Sequence, residues 1–288
     1  MRSACGSMIT PPRWRICRIV LGRVLILVGG IAFFWMLEQA APLFAFRYSK
    51  TKHAGVNLFF TLTTILVNFP LAFLLLKTSQ WAVANGVGVL QWVPPLPLWA
   101  TVLAGLLLLD LVGAWLAHFT QHQVRWLWQF HAVHHSDVHV DTTTANRHHP
   151  GESLVRFGFT LLAVGLVGAP MWLVFLYQSL SVVLSQFNHA NIELPGWLNQ
   201  AVGWLVVTPN MHHVHHHYVL PYSNTNYGNI FSVWDRLFTT YAERAGHELV
   251  YGLDTHPAPH EQSHIGGILA TPFRPYRPPV GEKQAQTV

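Results

Sequence analysis

Four predominantly apolar runs, residues 24–44, 56–76, 98–117 and 157–183, constrain this chain more than any other feature. A helix needs about 20 apolar residues to cross a hydrocarbon core of about 30 Å. The first run follows Arg13, Arg15, Arg18 and Arg23 and closes at Pro42. The second lies between the Arg47, Lys50 and Lys52 group and Lys77, and the third follows the bend at Pro94, Pro95 and Pro97. The fourth is interrupted by Gly168 and Pro170, which leaves one tilted helix or a shallow hairpin open. Charge tells the same story, since Asp, Glu, Lys and Arg make up 10% of the chain against about 25% in soluble domains. No small-residue cleavage site follows the first run, so it reads as a span and not a signal peptide. The expected fold is all-α: a multi-pass integral membrane protein of about four transmembrane segments carrying a histidine-rich helical cap.

Three parts are expected. Residues 1–23 form a basic N-terminal segment, 24–264 a single membrane domain, and 265–288, with its Pro, Lys, Gln and Gly, a disordered tail. Within the domain, residues 118–156 and 186–241 form the cap, because they are polar and hold most of the 19 histidines. Two cysteines, Cys5 and Cys17, exclude a disulfide scaffold, a Cys-ligated zinc ribbon and an iron–sulfur cluster. The net charge of +5 comes mainly from arginines at the edges of apolar runs, where lipid headgroups and not nucleic acid are the partners. Sidedness is contradictory. Five arginines ahead of the first span put the N-terminus in the cytoplasm and His118 outside after three crossings, whereas Arg47, Lys50 and Lys52 argue the reverse.

The third run ends in His118-Phe-Thr-Gln-His122, and four residues on a helix set both imidazoles on one face. An H-x-x-H-H follows at His131, His134 and His135, and a lone His189 lies between Asn188 and Asn191. A second H-x-x-H-H lies at His212, His215 and His216, with His213 inside it. Nine imidazoles exceed one tetrahedral zinc and suit two metal ions. Imidazole alone does not choose between Fe, Zn, Cu and Ni. The chain lacks H-E-x-x-H, which argues against hydrolytic zinc. Two irons can reduce O2 to an oxidant for unactivated C–H bonds. Asp110, in an apolar helix eight residues before His118, is predicted to orient an imidazole. Asn188, Asn191 and Asp235 are predicted to act in the same way. No G-x-G-x-x-G follows a strand, so electrons must come from a separate chain. His149-Pro150-Gly151 is similar to the start of a cytochrome b5 haem motif but continues with Glu152.

Together these motifs resemble the fatty acid hydroxylase/sterol desaturase superfamily. Besides the histidine boxes, Thr144-Ala145-Asn146-Arg147-His148-His149-Pro150, Thr208-Pro209-Asn210-Met211-His212, Asn226-Tyr227-Gly228 and the run from Trp234 to Tyr241 match the family's pattern. Phe119, His213, His217 and Asn224 depart from it. The resemblance implies nine metal ligands, His118, His122, His131, His134, His135, His189, His212, His215 and His216, with His149 as a tenth candidate. It also implies two non-haem iron ions, for which zinc can substitute during purification, and hydroxylation or desaturation of a fatty acyl, sterol or related lipid with O2. The implied donor is a ferredoxin or a cytochrome b5-type chain, and the cap faces the cytosol. The competing expectation is a non-catalytic metal-binding or transport protein, which would carry ligands along its spans; here no histidine lies mid-span.

Overall fold

The computed structural model describes residues 13–281, with side chains from Leu21 onward. Residues 1–12 and 282–288 lie outside the described residues, and with them much of the basic N-terminal segment and the end of the expected disordered tail. In chain order the helices are α1 (Arg13–Ala40), α2 (Lys50–Ala84), α3 (Val89–Trp92), α4 (Leu98–Asp110), α5 (Ala117–Gln123), α6 (Arg125–His135), α7 (Pro150–Val167), α8 (Met171–His189), α9 (Gly196–Gly203), α10 (Pro209–His215), α11 (Val233–Leu237), α12 (Pro259–Gln262) and α13 (Ile265–Ala270). Among the described residues no strand forms. Four stretches, Leu21–Ala40, Lys50–Trp92, Leu98–Gln123 and Pro150–Val167, are long and apolar enough to cross a membrane. Little of the first two is buried within the protein, 11% and 17%, which leaves large apolar side chains such as Leu66 and Phe69 on the outside. That is the surface a bilayer solvates.

Two spans differ instructively from the apolar runs. At about 1.5 Å per residue α2 is about 52 Å long, well beyond the hydrocarbon thickness. Its N-terminal turns therefore enter the cap, where Asn57 is fully buried and binds Asp137, Thr143 and Arg147. The fourth run is two helices. Gly168 ends α7 in the left-handed conformation (φ 68°), and Pro170 caps α8. A Cβ on Gly168 would come within 2.4 Å of the Val87 carbonyl, so the glycine also lets this turn seat on the α2–α3 loop. Leu75, Leu106, Leu109, Val164, Leu173 and Val174 form the core where these helices meet. α8 then delivers His189 at its last residue.

Between α4 and α5 the helix continues through a π-helical segment, Leu111–Leu116, just before His118. The tail expectation is corrected for residues 265–281. Ile268 of α13 is fully buried against Phe60 and Val133. Arg274 and Arg277 both pair with the buried carboxylate of Glu261. Composition missed these anchors because one apolar residue and one ion-paired cluster suffice to dock the segment.

Candidate metal centre

The nine histidines converge from four helices into two adjoining buried groups. One offers a ligand atom each from His118, His122, His131, His135 and His215, and the other from His134, His189, His212 and His216. Within each group these atoms lie within 4.8 Å of one another. Helical geometry does the sorting. On α6 the i, i+4 pair His131 and His135 turns toward the first group while His134 turns toward the second. The second H-x-x-H-H divides the other way, with His212 and His216 in the second group and His215 in the first.

Nε2 of His118 and Nε2 of His131 are 3.0 Å apart, as are those of His134 and His189, and of His189 and His212. Two nitrogens about 2.1 Å from one ion and at right angles to each other are separated by about 3.0 Å. Nε2 of His122, His135, His215 and His216 is buried without any hydrogen-bond partner. Each such orphan costs about 1–3 kcal/mol, so a converging set of them fits a cation. Burial, with neighbouring imidazoles adding to it, pushes the pKa values of His134, His135, His212 and His216 well below the usual value and that of His215 to about 3. These rings are therefore neutral, the form that binds metals.

The surrounding shell sets the tautomers. Nδ1 of His118 donates to the Tyr227 carbonyl (2.9 Å), His122 to Asn224 Oδ1 (3.1 Å), His131 to Glu152 Oε1 (2.8 Å), His189 to the Ser185 carbonyl (2.7 Å) and His215 to the Thr225 carbonyl (2.6 Å). A proton on Nδ1 leaves the Nε2 lone pair free to face the centre. Glu152 and the residues that supply these carbonyls escaped the sequence expectation. Glu152 carried a signal, being a carboxylate in the first turn of an apolar helix four residues after His148, whose Nδ1 lies 3.0 Å from the same oxygen.

The other predicted residues sit elsewhere. Asp110 does not orient an imidazole: it accepts the backbone N–H groups of Ile230 and Phe231 and the Trp234 indole N–H. Eight residues along a helix is about 12 Å, beyond hydrogen-bond reach of His118. Asp235 acts one step removed, because it accepts from the N–H groups of Tyr227 and Gly228, Trp115 Nε1 and Thr240 Oγ1, and so holds the carbonyl that takes His118. Asn188 donates to the Asn229 carbonyl, and Asn191 binds both backbone groups of Phe44; neither touches a histidine. His149 lies outside both groups and caps α7, accepting from the Gly151 N–H at 2.9 Å. His213 turns away to the Ala190 carbonyl and the Tyr251 hydroxyl, and His217 accepts from the Val250 N–H.

Asn226, at φ 50°, donates to the carbonyls of Met211 and Ala242 and ties α10 to the closing loop. A Cβ on Gly228 would meet Val207 at 2.8 Å and Asp235 at 2.9 Å.

This site and fold define a membrane protein with a buried, metal-competent polyhistidine pocket. Residues 102–240, just under half of the chain, match the family model described as fatty acid hydroxylase. It is 28% identical over 150 residues to an ornithine lipid hydroxylase of Rhizobium tropici, covering 52% of this chain and 44% of that protein. It is 30% identical over 203 residues to a cholesterol 25-hydroxylase-like protein of Danio rerio (66% of this chain, 65% of that one). Against an alkylglycerol monooxygenase of Caenorhabditis elegans it is 28% identical over 143 residues (49% and 27%). The chain thus spans from about a quarter to about two thirds of these relatives' lengths. No solved structure matches it.

Proposed function

We propose that this protein is an integral-membrane oxygenase that hydroxylates a lipid. The observation that carries the reading is the division of nine buried imidazoles into groups of five and four, with His118 and His122 at the end of a membrane-length span. Two iron ions held there would supply the reduction of O2 to an oxidant strong enough for an unactivated C–H bond. The chain's own contribution is orientation and exclusion. Tyr227, Asn224, Glu152, Ser185 and Thr225 hold ring protons on Nδ1, so five lone pairs stay aimed inward. Burial keeps water from the nitrogens, and the exposed apolar helix faces keep the substrate's tail in the bilayer beside the cap. The relatives named as hydroxylases and monooxygenases of lipids support hydroxylation over desaturation.

In this reading the protein is multi-pass, its cap faces the cytosol where reducing equivalents are available, and a separate ferredoxin or cytochrome b5-type chain provides electrons. Zinc would occupy the same nitrogens as a substitute. Comparative lipidomics of cells with and without the protein tests the proposal, together with metal analysis of anaerobically purified protein. A lipid that gains one oxygen atom is the expected result, and one that loses two hydrogens means desaturation. An unchanged lipidome under every reductant overturns the enzyme and favours a metal-binding or transport protein.

A further inference from the structure

We propose that electrons enter the histidine pocket through Trp128, and that the face around it receives a one-electron carrier protein with an acidic surface. The inference rests on the oxygenase reading above.

Trp128 lies three residues before His131 and seven before His135 on α6, so the three side chains share one helical face. Its ring centroid is 4.9 Å from His122, 5.4 Å from His135 and 6.2 Å from His131, all members of the five-histidine group. The same indole is partly exposed and lines a surface cleft with Gln129, His256, Tyr276 and Arg277. One conjugated side chain therefore bridges the surface and the metal-competent rings. Electron tunnelling falls steeply with distance, and a path one indole long is short. The cleft measures about 10 Å³, room for about one water molecule and far too little for an acyl chain.

The rim is cationic. Arg125 is exposed and stacks 4.0 Å over Tyr276. Arg277 keeps 45% of its side chain exposed and Arg274 23%, whereas the Glu261 carboxylate they share is 2% exposed. The surface displays the arginines and hides their counter-charge, the arrangement that steers an acidic partner. Each hydroxylation consumes O2, two protons and two electrons and releases one water along with the alcohol. A haem or iron–sulfur carrier gives up those electrons singly, being oxidised by one electron at each encounter while the iron pair is reduced.

The test uses the iron-loaded full chain with Cys5→Ser and Cys17→Ser and a ruthenium photoreductant on Arg277→Cys, with iron reduction followed spectroscopically after a flash. Trp128→Leu should slow flash-driven reduction roughly tenfold or more, with iron content and reduction by dithionite unchanged. An unchanged flash rate overturns the proposal. Loss of iron from both Trp128→Leu and Trp128→Phe also overturns it, because Trp128 would then be packing alone. For docking, the probes are a reduced acidic [2Fe–2S] ferredoxin and, in a second arm, reduced cytochrome b5. Arg125→Glu with Arg274→Glu should slow reduction by whichever carrier serves the parent chain, with a weaker salt dependence. A parent chain that neither carrier reduces, or a charge-reversed variant reduced as fast, overturns the docking half. Failure of the oxygenase reading looks different: iron is reduced through Trp128, yet no lipid is oxygenated.

Discussion

His131 Nδ1 lies 2.8 Å from Glu152 Oε1, while His131 Nε2 lies 3.0 Å from Nε2 of His118. The carboxylate thus fixes the ring proton on the side away from the five-histidine group and strengthens the inward lone pair. Glu152→Gln should lower metal affinity of that group about 10–100-fold and leave the four-histidine group loaded. Metal content after dialysis against a graded chelator checks this, and equal retention of both ions would refute it.

Asp235 accepts four donors, two of them the backbone N–H groups of Tyr227 and Gly228. Asp235→Ala leaves these donors unpaired in a buried place and should cost about 3 kcal/mol or more. Thermal unfolding in detergent is the measurement, with a secondary loss of metal because the Tyr227 carbonyl drifts from His118.

Two histidines near the pocket should separate cleanly by readout. His149→Ala removes a helix cap, costs about 1 kcal/mol and keeps full metal content. His216→Ala removes a member of the four-histidine group and should reduce metal content. Equal metal content in the two variants would contradict the assignment.

Metal removal should destabilise the whole cap, since it leaves Nε2 of His122, His135, His215 and His216 buried and unpaired. Stripping with chelator is expected to lower Tm by roughly 5 °C or more. Anaerobic addition of ferrous iron should restore it, and a Tm indifferent to metal would count against the pocket.

The spans were legible because apolar length is a local property that a bilayer reads directly. The overhang of α2 was not, because Asn57 earns its place through partners some 80 residues away, and hydropathy is blind to such pairing. The histidine boxes were legible through i, i+3, i+4 spacing, but their division into five and four depends on how α6 and α10 face each other. Asp110 misled for the same reason: its true partners lie about 120 residues further along the chain. His149 looked like its neighbours by type, and a purely local bond to the Gly151 N–H decided otherwise.

Each H-x-x-H-H serves both groups, so α6 and α10 are each clamped at two points about one helical turn wide. The spacing of the two histidine groups is then set by the girth of an α-helix and not by any flexible loop. Rotation of either helix would withdraw ligands from one ion as it crowded the other. A single inserted residue between His131 and His134, or between His212 and His215, would therefore disturb both groups together.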